Sequence, residues 1–337
     1  MPQPSEPISS RSDHRLAAES RAFDHQIDER IENGHVPDLR RAVACDWFRN
    51  NSWRRPAYVE LDFGEQFRLI RDAIERHCDT EGRPVRILEV GCGPGYLSLE
   101  LARSGFDVTG LDLSLRCVEV ARRIAEEDPW RAARGPLCYV AGDLFGEPTF
   151  SDASFDAVVF LGALHHFPDT QGALARVSGL LAPGGIVVVH EPVRDRVTHG
   201  SAAFVHLLRV VLAAGGGFHA SRPPPSDRAT LDREIAEVFD ELRYESEGGG
   251  NVQSINDNEA GYAQMRPALD ARFAELVFEW RYAFFHEHIG GLRFDEQANA
   301  RLAWYLREMD RVLCSNGVLQ ATEFFYVGRK AREHSDA

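Results

Sequence analysis

An open α/β fold, with a mostly parallel sheet covered on both faces, is what this chain predicts, and three observations carry it. Between Val85 and His190, short apolar runs alternate with amphipathic helical stretches. The runs are nearly all apolar, as strands buried on both faces must be. The first run also enters its helix through three alternate glycines, in "RILEVGCGPGYLSLEL" (residues 86–101), a turn that leaves the backbone bare.

The strand candidates are Val85–Val90, Val108–Leu111, Leu137–Val140, Ala157–Phe160 and Ile186–His190. Helices at Tyr96–Ser104, Ser114–Glu127 and Thr170–Leu181 separate them, and Pro183-Gly184-Gly185 turns the chain into the fifth strand. Upstream, residues 1–15 read as a loose polar tail. Helical spacing follows from Leu16 to about Trp53, with Phe23, Ile27 and Ile31 four apart and a pause at Gly34–Pro37. The aromatic segment "CDWFRNNSWRRP" ends at Pro56. A helix over Tyr58–His77 then carries Leu61, Phe67, Ile70 and Ile74 on one side.

Alternation stops after Pro192. An apolar helix near Ala202–Ala214, a glycine break at Gly215–Gly217, a Pro223–Pro225 turn and a charged helix at Thr230–Leu242 follow. Strand-like runs return at Leu276–Phe285 and Gln320–Val327, around a helix at Asp295–Leu313. The organisation predicted is a tail and helical cap (1–57), an α/β core (58–192), a helical lid (193–275), remaining core elements (276–330) and a short tail (331–337).

Composition narrows the function. The 337 residues include 38 basic and 52 acidic, a net charge of −14, and no run of five basic residues is visible. That argues against nucleic acid as a partner, since such binding rests on neutralising phosphates. Lys330 is the only lysine, which makes Schiff-base chemistry improbable. The six cysteines are scattered with no C-x-x-C pair, so they read as thiols in a reducing compartment and not as a metal site. The N-terminus lacks a signal-peptide core, and the longest apolar stretch is broken by His206 and Arg209. A cytoplasmic protein without a membrane partner is expected; a homodimer is compatible with the sequence.

Glycine-rich turns of this kind seat either dinucleotides or other nucleoside cofactors. Here the glycines are Gly91, Gly93 and Gly95, and Tyr96 stands where the dinucleotide fingerprint G-x-G-x-x-G wants its third glycine. Asp112 ends the second strand in "VTGLDLS", 17 residues past Gly95, where a carboxylate can take both hydroxyls of a ribose. Helix N-capping is its alternative duty, but Ser114 can serve there. Gly142-Asp143 closes the third strand in "CYVAGD", and "FDAVVFLGALHHFPD" and "LLAPGGIVVVHEP" complete the series.

Through residues 85–192, and more loosely the final strand, the chain resembles the class I S-adenosylmethionine (SAM)-dependent methyltransferases. The resemblance implies a Rossmann-like sheet of seven strands, with one antiparallel strand at Gln320–Val327. It implies SAM as cofactor and S-adenosylhomocysteine as product. Glu89 and the turn Gly91, Cys92, Gly93, Gly95 and Tyr96 would hold the methionine end. Asp112 would bind the ribose and Leu113 pack on the adenine, which Gly142, Asp143 and Leu144 would flank. Leu161 would touch the methionyl portion. Core packing is the alternative for the apolar members.

Methyl transfer is an in-line displacement in which the protein positions a nucleophile and, where needed, takes its proton. In "ALHHFPD" the spacing resembles the histidine segment of small-molecule O-methyltransferases, so His165 is a candidate base, with His166 beside it. Glu191, in "VVHEPV", could orient an acceptor amine or hydroxyl; a loop hydrogen bond is its plainer role. "YAFFHEHIGG" places His286 and His288 on one strand face, but two ligands do not make a metal site; Tyr282 or His286 lining the substrate fits better. No metal is assigned. The expected function is methylation of O, N or C on a small metabolite, in biosynthesis of specialised products or cell-surface glycans. Rivals are a non-catalytic nucleotide-binding or regulatory protein, an NAD-linked oxidoreductase, and a protein or RNA methyltransferase.

Overall fold

The computed structural model describes residues 8–32, 56–146, 150–245, 251 and 253–330. Helix α1 (Ile8–Glu32) comes first, starting within the segment expected to be loose. The aromatic segment 45–56, but for Pro56, and the helical spacing beyond Glu32 lie outside the described residues. Where one helix was expected over Tyr58–His77 there are two, α2 (Pro56–Leu61) and α3 (Phe63–His77), meeting at Asp62. Alternation then follows: β1 (Arg86–Val90), α4 (Tyr96–Arg103), β2 (Asp107–Asp112), α5 (Leu115–Glu127), β3 (Leu137–Ala141), β4 (Phe155–Leu161), α6 (Thr170–Leu180) and β5 (Leu181–Pro192), which takes in the Pro183–Gly185 segment expected as a turn, there an irregularity in the pairing with β4.

After β5 come α7 (His199–Ala214), α8 (Arg228–Arg243), α9 (Tyr262–Asp270), β6 (Phe273–Arg281), the short α10 (His286–Ile289), α11 (Glu296–Ser315) and β7 (Glu323–Lys330). The seven strands form one sheet in the order β3-β2-β1-β4-β5-β7-β6. Only β7 runs antiparallel to its neighbours, pairing β5 from Ile186↔Arg329 to Pro192↔Glu323. This is the Rossmann-like methyltransferase topology that the sequence implied.

Side-chain caps set several helix starts. Ser114 accepts from Cys117 N at 2.9 Å to begin α5, and Asp169, Thr198, Asp227 and Asp295 do the same for α6, α7, α8 and α11. Each such cap contributes about 1 kcal/mol. One sheet face buries Ile87, Val108, Val159 and Val188 against α3 and α4. The other buries Leu88, Phe160, Val189 and Tyr326 against α6 and α9. A third core joins α7 and α8 to Tyr282–Phe285, α10 and α11. Among the described residues no helix is long and apolar enough to cross a membrane.

The strand expected over Leu276–Phe285 stops at Arg281, for a physical reason. The buried carboxylate of Asp310 accepts from the backbone N–H groups of Ala283, Phe284 and Phe285 at 2.9, 2.6 and 2.8 Å. Donors gathered on one side chain cannot extend a ladder, so the chain turns into α10. His286 and His288 therefore do not share a strand face. His288 is a core histidine, with Nδ1 2.9 Å from Phe284 O and Nε2 3.3 Å from Val205 O.

Candidate active site

β1 to β5 run parallel, so their carboxyl ends lie along one edge of the sheet, where ligands bind in open α/β folds. The glycine turn after β1 is tied to β2: Gly91 N and Cys92 N both donate to Leu111 O, at 2.8 and 3.0 Å. Gly91 (φ 73°) passes Ala163 so closely that an added Cβ would come within 2.6 Å of its methyl carbon. Gly95 (φ 76°) lies on the buried ring of Tyr139, whose hydroxyl donates to Gly95 O at 2.9 Å. Both positions need a left-handed backbone and a missing side chain. The turn is held from beneath and free of Cβ atoms at both ends.

Two carboxylates flank it. Glu89, 3% exposed, accepts a short hydrogen bond from Ser98 Oγ. Burial pushes its pKa up to about 8, and the charge of Asp112 adds to the rise. Asp112, 9% exposed, accepts from Gly93 N at 2.7 Å and Ser114 N at 2.8 Å. Burial raises it to about 6, in spite of those bonds. Neither carboxylate has an ion-pair partner among the described residues. Each is a buried acceptor short of positive charge or of further donors.

The other predicted residues line up beside them. Leu113 is half-buried, and its carbonyl accepts from Ser20 Oγ of α1 at 3.3 Å. Gly142 N donates to Asp112 O at 2.9 Å, joining the ends of β2 and β3. Asp143 is half-buried; Leu144 is buried in the cluster with Phe160 and Leu164. Leu161 and Tyr96 are half-buried at the ends of β4 and the glycine turn.

His165 and His166 occupy a single 3-10 turn after β4, with ring centroids 4.2 Å apart. His165 Nδ1 lies 2.6 Å from Glu191 Oε2 and donates to it. Glu191, fully buried at the end of β5, also accepts from Ala163 N and Leu164 N at 2.8 and 2.7 Å, so it fixes the turn as well as the ring. His165 Nε2 faces Asp257 Oδ1 at 3.4 Å, an ion contact in which neither atom makes a hydrogen bond. Burial lowers the His165 pKa, but Asp257 and Glu191 more than offset it and raise the imidazole above its ordinary value. His166 Nδ1 lies 2.8 Å from Glu19 of α1, which also accepts from Ser254 Oγ and Asn256 N. The structure thus brings His165, His166 and Glu191 into one network and adds Glu19 and Asp257.

A cavity of about 610 Å³ opens beyond the ends of β5 and β7, lined by Tyr58, Arg194, Ser201, Tyr244, His286 and Glu323 among others. Arg194 stacks its guanidinium 3.4 Å from the centroid of Tyr244. Its charge also acts on His165 and Asp257, so cavity and histidine network share it. Burial pushes Glu323 up to about 7, against the pull of His286 and Arg281. A larger hollow of about 930 Å³ lies at the β6 edge and α11. It includes no end of β1 to β5 and plays no part in the cleft.

Glu19, Ser98, Tyr139 and Asp257 were not legible as site residues. Glu19 sits 147 positions before His166 on an otherwise ordinary polar helix, and Asp257 in "SINDNEAGY" matches no motif. Ser98 and Tyr139 act from beneath the turn, with residue types that packing alone would explain.

Comparison with known proteins bears on the family. Residues 88–189 match the methyltransferase domain family. A demethylmenaquinone methyltransferase of Tropheryma whipplei is 32% identical over 225 residues, covering 65% of this chain and 85% of that protein. An uncharacterized methyltransferase of Mycobacterium bovis is 40% identical over 103 residues, 31% of this chain and 48% of its own. A ubiquinone biosynthesis O-methyltransferase of Methylocella silvestris is 36% identical over 129 residues, 35% and 48%. The chain spans about half the length of the Mycobacterium bovis and Methylocella silvestris relatives. The topology, the glycine turn with its two carboxylates, and the long match to a methyltransferase together show that the chain belongs to the class I SAM-dependent methyltransferase superfamily.

Proposed function

We propose that this chain transfers the methyl group of SAM to an oxygen, nitrogen or carbon of a small organic acceptor held in the cavity beyond β5. The observation that carries the reading is the pair of buried carboxylates, Glu89 and Asp112, on either side of a turn with glycine at alternate positions 91, 93 and 95. Their chemistry fits the cofactor. Glu89 lacks the positive charge that an amino-acid ammonium would bring, and Asp112 has acceptor capacity left for ribose hydroxyls. Leu113, Gly142, Asp143 and Leu144 would border the adenine, and Leu161 the methionyl portion. SAM supplies an electrophilic methyl on a sulfonium.

The chain's own part is placement. Arg194 and Tyr244 offer a flat cation and an aromatic face to the acceptor, and a cavity of about 610 Å³ suits a molecule of metabolite size. His165 has Nδ1 committed to Glu191 and Nε2 buried against Asp257 at 3.4 Å, so it holds the turn after β4 in place. The relatives named for quinone methylation support an aromatic or hydroxylated acceptor. The net charge of −14 does not favour a nucleic-acid acceptor.

The reading is tested by incubating the purified chain with SAM and fractionated metabolites, and searching by mass spectrometry for a gain of one CH2. A product among small molecules, with S-adenosylhomocysteine formed in equal amount, is expected. Label appearing only in protein or RNA would replace the acceptor class. Tight SAM binding with no transfer to any fraction would favour the non-catalytic rival.

A further inference from the structure

We infer that His165, His166 and Asp257 form a divalent-metal site, of the kind that Zn²⁺ occupies, at the junction of α1, the turn after β4 and the 253–259 loop. One ligand atom from each of the three can be chosen so that all lie within 4.8 Å of one another. The second observation is what surrounds them. Each imidazole has its Nδ1 on its own buried carboxylate, His165 on Glu191 at 2.6 Å and His166 on Glu19 at 2.8 Å. Such a pairing puts the proton on Nδ1 and turns the Nε2 lone pair the other way, as outer carboxylates do for metal-binding histidines.

Both outer carboxylates are themselves held. Glu191 takes three backbone N–H groups of the turn, and Glu19 takes Ser254 Oγ and Asn256 N. The inner atoms are not. His165 Nε2 and both oxygens of Asp257 are buried without a hydrogen bond, in residues 4% and 0% exposed. A buried carboxylate with both oxygens unpaired is costly unless a cation meets it.

The plainer alternative is a charged His165 clamped between Glu191 and Asp257. That clamp needs neither His166 nor its buried Glu19, yet the fold brings α1 across the molecule to hold the second imidazole in the same way. Two imidazole nitrogens and one carboxylate oxygen suit Zn²⁺ better than Mg²⁺ or Ca²⁺, which prefer oxygen alone. Three protein ligands also leave one tetrahedral position for water or another oxygen. The inference concerns metal binding and does not depend on the acceptor.

The test uses the full chain, free of any histidine tag and stripped with a chelator. It is titrated with Zn²⁺ by calorimetry and with Co²⁺ by visible absorption. One equivalent with micromolar or tighter affinity, and the intense visible bands of four-coordinate Co²⁺, are expected. His166→Gln and Asp257→Asn should each weaken binding at least tenfold, and Glu19→Gln by about 10–100-fold through the outer shell. Circular dichroism checks the fold of each variant. No stoichiometric binding by the native chain overturns the inference without recourse to variants. So does native-like binding in both His166→Gln and Asp257→Asn. Cofactor affinity is measured separately, so failure here leaves the methyltransferase reading intact, and the reverse.

Discussion

The two halves of the cleft treat buried carboxylates in opposite ways. On the glycine-turn side, Glu89 and Asp112 have only hydroxyl and backbone N–H partners, and burial raises them to about 8 and about 6. On the other side Glu19 and Asp257 face imidazoles; burial pushes them up, but hydrogen bonds from His166 and Ser254 to Glu19, and His165 and the Arg194 charge on Asp257, hold them below the ordinary values. The first half leaves two buried carboxylates short of donors and positive charge. The second sets two imidazoles against its carboxylates and joins α1, the β4 turn and the 253–259 loop.

The largest effect should come from closing the first half sterically. In Gly95→Ala the new Cβ would meet Tyr139 Oη at 2.4 Å in a left-handed backbone. Strain and overpacking together should reduce cofactor affinity on the order of a hundredfold. Calorimetry would show it, and near-native affinity would mean that the turn does not approach the ligand.

Next is the charge deficit at Glu89. Its folded pKa is raised, so the folded chain keeps a proton that the unfolded chain has released, and this position costs stability as pH rises from 4.5 through about 8. Glu89→Gln should therefore stabilise the cofactor-free protein by about 1–3 kcal/mol at pH 8 and leave it unchanged at pH 4. Denaturant midpoints at the two pH values test this. Cofactor binding should respond in the same window. With Asp112 titrating near 6 and Glu89 near 8, native affinity should climb from pH 5.5 to 8, by at most about tenfold per unit for each group. Glu89→Gln should flatten the upper part of that climb.

The smallest effect expected is that of Tyr139→Phe. Losing the 2.9 Å bond to Gly95 O should cost about 1 kcal/mol of stability and a few-fold in affinity. An unaltered variant would show that the ring, and not the hydroxyl, supports the turn.

The same contrast explains what the sequence could show. Strand–helix alternation is written in local periodicity, and the glycine turn and Asp112 stand within one βαβ unit, so both are readable along the chain. The antiparallel final strand was implied by the family resemblance alone, and the order of the strands by no local pattern. The histidine side is assembled from α1, the β4 turn, the β5 end and the 253–259 loop, with no fixed spacing between them. His165, His166 and Glu191 were visible as single candidates, but Glu19 and Asp257 carry no local signal. The strand expected through Phe285 failed for the same reason. An aromatic run favours a strand, while Asp310, 25 residues further on, removes the donors that a strand needs.

The proposed site has the glycine turn hold the amino-acid end of the cofactor and Asp112 its ribose. Titration of S-adenosylhomocysteine into the native chain and Asp112→Ala at pH 7.5 tests it most directly. One site in the native chain is predicted, with affinity at least tenfold weaker in the variant, since bonds to a charged acceptor contribute about 1.5–3 kcal/mol. Equal affinity in both proteins, or no binding to either, would contradict it.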